Sequence, residues 1–269
     1  LISEAESNVL SDTDWYEAVA QNASMSNLTA SLSDGGENYA YSFSGGNFEQ
    51  AGIFNRDGKS TYNRKNISAS LQADIRKNFK INLSTSIAKM TNSNPVYTIS
   101  SINALPSIYP RYAENGEVFN PGRQSPSPIY NGVPLNIMGE MTNPLWELNG
   151  FVGNEQTNEV TNYAAAAEWQ PLKDLHLRTL YSFYKNDGLG TSFSPSLGAV
   201  YPTQDFYLQG QYSEGPSSVV KDQVTATAAY TFSKLAEQEH HLDVLLGFET
   251  LEETTHYGEN IQNTSDYLT

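Results

Sequence analysis

Residues 66–89 read NISASLQADIRKNFKINLSTSIAK, and apolar side chains take alternate positions on both sides of Arg76-Lys77-Asn78. The apolar series is Ile67, Ala69, Leu71, Ala73 and Ile75, then Phe79, Ile81, Leu83 and Ile87. A period of two gives a β-strand one apolar face and one polar face. The segment therefore predicts two antiparallel strands joined by a tight turn, with an apolar face that something must cover.

The same alternation recurs along the chain. Eight segments show it, at residues 26–33, 38–48, 64–75, 79–90, 158–169, 175–186, 222–233 and 241–253. Most are roughly 9–13 residues long, near the 9–11 residues that a tilted strand needs to cross a bilayer. Strands of ordinary globular proteins average about 5–6 residues. The lengths favour strands that span a membrane.

The connections between the segments alternate in length. Short connections follow the first, third, fifth and seventh segments, whereas long connections occupy residues 49–63, 91–157 and 187–221. Transmembrane β-barrels have this asymmetry, with tight turns at one end and long loops at the other. Structureless connections as long as residues 91–157 are uncommon inside a compact soluble domain. The pattern predicts a barrel whose long loops are external.

Aromatic residues collect near the ends of the segments. They are Tyr39, Tyr41 and Phe43, Tyr163 and Trp169, Tyr181 and Phe183, and Tyr230 and Phe232. Transmembrane barrels carry such residues in girdles at both membrane interfaces, although Tyr and Phe also favour strands in general. Together with the loop lengths, they indicate a closed barrel with lipid on its apolar face and water on its polar face.

Composition narrows the function further. The formal net charge of −15 disfavours binding to nucleic acid. The absence of cysteine excludes disulfides and thiolate metal sites. No apolar run reaches the ~18 residues of a membrane-spanning helix, and the first residues, LISEAESNVL, do not have the pattern of a signal peptide.

The sequence carries no motif of a known catalytic site. HExxH, GxSxG and GxxxxGK[ST] are all absent. The adjacent His240 and His241 fall at a predicted strand, where neighbouring side chains point to opposite faces and chelate a metal poorly. A glycosidase would need two carboxylates about 5–9.5 Å apart, and no local pattern indicates such a pair. We therefore expect no enzyme activity, no catalytic residue, no metal and no cofactor.

Several short motifs occur in the order found in one family. They are Leu32-Ser33, Gly35-Gly36, Tyr41-Ser42, Gly52, and Arg64 and Asn66 at the start of a strand, with LPSIYPRYAENGEVFNP at 105–121 and TNPLW at 142–146. This series resembles the SusC/RagA-type TonB-linked (TonB-dependent) outer-membrane transporters of Bacteroidetes. The resemblance covers most of the chain.

The resemblance implies a fold, a location and partners. The fold would be all-β, an antiparallel transmembrane β-barrel, with this chain contributing about eight strands of a barrel of about 22 strands. The protein would lie in the cell outer membrane, in contact with lipid, and import oligosaccharides or peptides as nutrients. A SusD-like surface lipoprotein would form a lid, and the TonB complex would act through a plug region that is not in this chain.

The family pattern also divides the chain. Residues 1–25 would connect plug to barrel, residues 26–254 would form strands and loops, and residues 255–269 would start the next external loop. The long external loop at 91–157 is the predicted place of substrate contact, because loops carry recognition on rigid scaffolds. Its aromatic residues are Tyr97, Tyr109, Tyr112, Tyr130 and Trp146. The alternative is that nearby prolines fold these rings into a small core of the loop itself.

A second function class fits the same composition. A soluble secreted or cell-surface all-β module, either carbohydrate-binding or an adhesin, would also be acidic, rich in tyrosine and free of cysteine. Such a module would hide its apolar faces between two sheets. A barrel instead exposes them to lipid, so the exposure of Leu71, Leu83, Val244 and Leu246 discriminates between the two.

Overall fold

One antiparallel β-sheet accounts for most of the chain that the computed structural model describes. The described residues are 11–54, 60–95, 102, 107, 110–112, 129–130, 133–134, 153–194, 210–232 and 242–265. The elements are α1 (Trp15–Val19), β1 (Met25–Gly35), β2 (Tyr39–Ala51), β3 (Thr61–Arg76), β4 (Phe79–Pro95), β5 (Ile129–Tyr130), β6 (Val133–Pro134), β7 (Gly153–Leu172), β8 (Leu175–Ser194), β9 (Gly210–Phe232), β10 (Leu242–Tyr257) and β11 (Ile261–Ser265).

The large sheet is a meander of strands that follow one another in the sequence. Its order is β1-β2-β3-β4-β7-β8-β9-β10, and β11 also pairs with β9. β10 covers residues 217–232 of β9 and β11 covers residues 210–214, so the two act as one interrupted strand. At the interruption, Gly258 N–H donates to the Pro216 carbonyl at 2.9 Å. The sheet is not closed on itself within the described residues, as expected for part of a larger barrel.

Each of the eight predicted segments corresponds to one long strand. The strands are longer than the alternation indicated, reaching 20 residues in β8 and 23 in β9. The added residues lie toward the long connections, where Asn92 pairs with Gln156 and Ser93 with Glu155. Both faces of the sheet are polar there. A search for apolar alternation therefore stops before the strands do.

This extension shortens the long connections and weakens their contrast with the short ones. Residues 96–152 and 195–209 still separate strands far more widely than residues 77–78 and 173–174 do. The connection at 52–60, however, is no longer than the one at 233–241, which the sequence placed among the short turns. The alternation in loop length is thus real but less regular than the sequence suggested.

The first tight turn depends on its glycines. Gly35 N–H donates to the Asp34 carboxylate at 2.8 Å, and Gly36 N–H donates to the Tyr39 carbonyl at 2.8 Å. A Cβ at residue 35 would lie 2.9 Å from that same carbonyl oxygen. Any larger residue at this position would therefore displace the backbone that starts β2.

A small core forms beside the ends of the strands that lead into the long connections. Asp14 caps α1 by accepting from Glu17 N–H at 2.9 Å, and the helix buries Trp15, Ala18 and Val19. Ile102, from the connection between β4 and β7, is buried as well. The other buried apolar side chains of the described residues are Pro110, also from this connection, and Ala166 in the sheet.

Hydrogen bonds hold this core to two connections. Thr13 N–H donates to the Ser107 carbonyl at 2.8 Å, and Gln21 N–H donates to the Ile53 carbonyl at 2.8 Å. The Arg111 guanidinium lies 3.3 Å from the Glu17 carboxylate. Residues 11–21 therefore tie the connection after β2 to the connection after β4.

Candidate functional site

The register of the sheet aligns the alternation of every strand into two continuous faces. Leu71 of β3 lies opposite Leu83 of β4, while the neighbouring Ser70 lies opposite Ser84. The same alignment continues through β7, β8 and β9. We call the side that carries Leu71 the apolar face and the side that carries Ser70 the polar face.

The apolar face is not covered by protein in the described part of the chain. Leu71 is 38% exposed, Leu83 43%, Val244 38% and Leu246 68%. A soluble sandwich would bury these residues against a second sheet. The only other sheet among the described residues is the two-stranded pair of β5 and β6. The apolar face therefore needs a covering from outside the described chain.

The apolar residues form a belt that crosses the sheet obliquely. On β3 and β4 the first charged residues beyond the belt are Lys65 and Lys89, which lie opposite each other. On β9 the first is Asp222, which shares a cross-strand row with Phe183 and not with the lysines. The edge of the belt thus shifts toward the tight turns from β3 to β9. An oblique belt is expected when strands are tilted within a flat apolar layer, as in membrane barrels.

The height of the belt agrees with this geometry. On β3 it runs from Ile67 to Ile75, and on β10 it runs from Leu242 to Phe248. At ~3.3 Å per residue and a tilt of ~40–45°, these two stretches rise roughly 20 Å and 15 Å along the membrane normal. The apolar band of outer-membrane barrels is about 25 Å tall.

Aromatic residues flank the belt near the tight turns. Tyr39 and Tyr41 stack with ring centroids 6.4 Å apart, and Tyr230 and Phe232 make an edge contact at 4.5 Å. Trp169, at the same end of β7, is 48% exposed. Amphipathic rings in such positions suit the boundary between hydrocarbon and water.

A second aromatic group lies at the other edge of the belt. Tyr163 and Phe183 are cross-strand neighbours with centroids 5.9 Å apart. Tyr181 donates its hydroxyl to the Asp222 carboxylate at 2.7 Å. The apolar ring of Tyr181 thus lies within the belt, and its hydroxyl lies at the edge of the belt, as expected for an interfacial tyrosine.

The polar face is concave. One depression of about 690 Å³ extends from Ser33 on β1 to Arg178 on β8. An adjoining depression of about 620 Å³ extends from Ser42 on β2 to Lys221 on β9. Strands so far apart in the sheet can line one depression only if the sheet curves toward this face. The polar face is therefore the inner side of the curve.

Neutral hydrogen-bonding groups dominate the inner side. Ser42 and Ser70 share a hydrogen bond of 2.7 Å across β2 and β3, and Asn162 donates to Ser86 at 3.2 Å across β4 and β7. Most of its charged groups are paired, as with Lys221 and Glu253 at 3.0 Å. Such exposed pairs contribute little to stability. They do keep the surface close to neutral, which leaves many weak polar contacts and no strongly charged site.

The described residues offer no centre for metal chemistry. They contain no group of three His, Cys, Asp or Glu side chains placed to hold a metal ion. They also contain no α-helix of the length and hydropathy needed to cross a bilayer.

The predicted binding residues are largely beyond the described part of the chain. Tyr97, Tyr109 and Trp146 lie outside the described residues. Tyr130 is in β5, where its backbone pairs with Val133. Tyr112 is 46% exposed, next to the Arg111 that contacts Glu17. Nothing in the described residues brings these aromatic residues together.

Some features were not foreseen from the sequence. No helix was predicted around Trp15, although Asp14 before it and the apolar Ala18 and Val19 after it are signals of a capped, buried helix. Leu245 and Leu251 lie on the polar face of β10 and are 70% and 55% exposed. Because leucines occur on both sides of β10, the alternation identified its apolar face correctly but did not show that its other face also carries leucines.

Comparison with known proteins gives a clear result for structure alone. No protein-family model matches the chain, and no curated protein matches it. A structure of the RagAB peptide transporter matches with a TM-score of 0.70 at 20% identity, over 96% of this chain and 27% of that chain. Structures of the RagAB peptide importer in its "closed-closed" and "open-open" states match with TM-scores of 0.67 and 0.66, at 19% and 22% identity.

These matches cover 95% and 97% of this chain and 30% and 28% of the importer chains. This chain thus spans less than a third of the proteins whose fold it shares. RagA is a SusC-like TonB-dependent transporter, so the resemblance found in the sequence is confirmed at the level of the fold. The predicted fold class, part of an antiparallel β-barrel, is confirmed as well.

Proposed function

We propose that this chain is part of the wall of a SusC/RagA-type TonB-dependent importer in the outer membrane. The observation that carries the proposal is the exposed, oblique apolar belt on one side of a sheet whose other side is concave and polar. In hydrocarbon every backbone group needs an internal partner, which a closed barrel supplies. Lipid then covers the belt, and the chain lies in the outer membrane as a multi-pass barrel segment.

The inner side supplies a conduit that substrates pass without being held. Its serine, asparagine and threonine side chains offer many hydrogen bonds of similar strength to any polar solute. A transport path needs binding that is favourable enough for entry and weak enough for exit. Dispersed neutral contacts meet this requirement better than a single charged pocket does.

The cargo is a peptide or an oligosaccharide. The structures that share this fold are described as peptide transporters or importers, which favours a peptide, while the family resemblance also allows a glycan. Tyr97, Tyr109, Tyr112, Tyr130 and Trp146 are proposed to contact the cargo from the long external loop. A SusD-like surface lipoprotein would close over the loops, and the TonB complex would drive release through a plug outside this chain.

The domain division follows from the same proposal. Residues 26–254 form barrel strands and loops, and residues 1–25 lead into them. Residues 255–269 start the next external loop, with the end of β10 and β11 as its extended base on the sheet. The competing function, a soluble carbohydrate-binding or adhesin module, is disfavoured by the exposure of Leu83 and Leu246. Nor does the shape of the sheet support that function, because its concave side is polar and its other side is apolar.

A tryptophan in the conduit tests the transport role. Ser84 faces both inner depressions, so Ser84→Trp is expected to lower peptide or oligosaccharide uptake by roughly an order of magnitude, because bulk in a pore adds a steric barrier. Uptake is measured in cells that express the protein, at matched amounts of protein in the outer membrane. The control is Leu83→Trp, one residue away on the apolar face, which leaves uptake unchanged. Equal uptake in both variants would rule out this path.

A further inference from the structure

Two lysines face each other at the edge of the apolar belt. Lys65 of β3 and Lys89 of β4 are directly opposite in the register, on the same face as Ile67 and Ile87. Like charges in this position destabilise a sheet. The arrangement is notable in a chain with 15 basic and 30 acidic residues, where carboxylates are twice as available as partners.

Carboxylates near the lysines satisfy only part of this charge. Lys89 Nζ lies 2.7 Å from Glu159 Oε1, on the side away from Lys65. Lys185, which is the next lysine along this edge of the belt, lies 2.7 Å from the Asp187 carboxylate. Lys65 is exposed and forms no ion pair with any residue of the described chain. An anion bound at Lys65 and Lys89 would relieve the repulsion between them.

An apolar groove lies on the same face, deeper in the belt. It has a volume of about 410 Å³, and its lining on the apolar face includes Ala69, Leu71, Leu83 and Tyr163. From Leu71 to Lys65 the strand rises roughly 20 Å, which at a tilt of ~40–45° is about 15 Å along the membrane normal. One leaflet of hydrocarbon has about this depth, half of ~30 Å.

We propose that the groove and the lysine pair form one binding site for a membrane lipid whose phosphorylated headgroup carries a net negative charge. The phosphate lies between Lys65 and Lys89, and an acyl chain fills the groove beside Leu71 and Leu83. Lysine suits this role because its ammonium is a point charge that binds phosphate without a fixed geometry. The site rests on the proposed function, since the belt must lie in a membrane.

The test uses protein purified from outer membranes in mild detergent and then stripped of lipid. Dipalmitoyl phosphatidic acid and dipalmitoyl phosphatidylcholine are added in micelles, and bound lipid is counted by native mass spectrometry. The wild-type protein is expected to prefer phosphatidic acid by about 25-fold, since each of the two lysines adds about a factor of five near an anionic headgroup. The Lys65→Gln/Lys89→Gln variant loses this preference. Lys221→Gln, on the polar face, retains it.

Other outcomes overturn the proposal. If the double variant still preferred phosphatidic acid over phosphatidylcholine, the two lysines would not be the binding site of the headgroup. Ala69→Trp fills the groove. If this variant bound as much phosphatidic acid as the wild-type protein, the acyl chain would not lie in the groove. Inorganic phosphate that competes as well as phosphatidic acid does would indicate a site for free anions only. Failure of the proposed function gives a different result, because the wild-type protein would then be recovered from the aqueous fraction without detergent.

Discussion

Replacing Leu83 with arginine is expected to destabilise the folded barrel by about 2–4 kcal/mol, the cost of a cation at the middle of the lipid face of an outer-membrane barrel. Leu83 lies midway along the belt on β4, between Phe79 and Ile87, and its side chain is exposed on the apolar face. The guanidinium would lose its hydration there and find no partner. The measurement is the free energy of unfolding of the protein in lipid vesicles, by titration with denaturant.

Ser84→Arg is the matched control for this change. It places the same charge one residue away, on the concave polar face, where Ser84 is exposed. The expected cost is under about 1 kcal/mol, because the side chain stays in water and charged groups already line this face. Equal losses in the two variants would mean that both faces meet the same environment. The assignment of lipid to one of them would then be wrong.

Replacing Trp15 with alanine is expected to release residues 11–21 from the two connections that they join. Trp15 is 5% exposed, and truncation of a buried tryptophan costs about 3–5 kcal/mol. Because the core around α1 is separate from the sheet, the substitution lowers the free energy of local opening of residues 11–21 and leaves the stability of the barrel unchanged. Hydrogen exchange of Thr13 N–H and Gln21 N–H, which donate to Ser107 and Ile53, should accelerate by about 10²–10³-fold.

Tyr16→Ala provides the comparison for this region. Tyr16 is adjacent in sequence and equally aromatic, but it is 49% exposed and makes an edge contact with Phe54 at 5.6 Å. Its removal should accelerate exchange at the same two amides by less than about tenfold, since an aromatic pair adds about 0.5–1.5 kcal/mol. If Trp15→Ala accelerated hydrogen exchange in β3 and β4 as strongly as at Thr13 and Gln21, α1 would pack into the core of the sheet and would not form a separate core.

The strands and their faces were predictable because the signal is local. A strand that separates an apolar medium from water must alternate, so Leu71 beside Ser70 and Leu83 beside Ser84 identify both faces without knowledge of the partners. Half of the strand pairs followed from short connections, since strands joined by turns such as residues 77–78 pair with each other. The inner polar face could be read from the sequence for the same reason.

The rest needed contacts between distant residues. The ends of β4 and β7 pair through Asn92 and Gln156, which are polar like their neighbours, so no alternation marks them. The oblique edge of the belt appears only when the register places Asp222 in the row of Phe183. The lysine site likewise depends on Lys65 lying opposite Lys89, and no local pattern joins residues so far apart in the chain.

The most direct measurement of which face meets lipid is a scan with single cysteines, for which this chain offers a background free of cysteine. Cysteines at positions 69–72 and 82–85 of the protein in lipid vesicles would carry a nitroxide, whose collisions with oxygen and with a water-soluble nickel complex are compared. We predict that oxygen, which concentrates in hydrocarbon, dominates at 71 and 83, and that the nickel complex dominates at 70 and 84, with a period of two. Strong access of the nickel complex at all of these positions, or protection from both reagents at 71 and 83, would contradict this prediction.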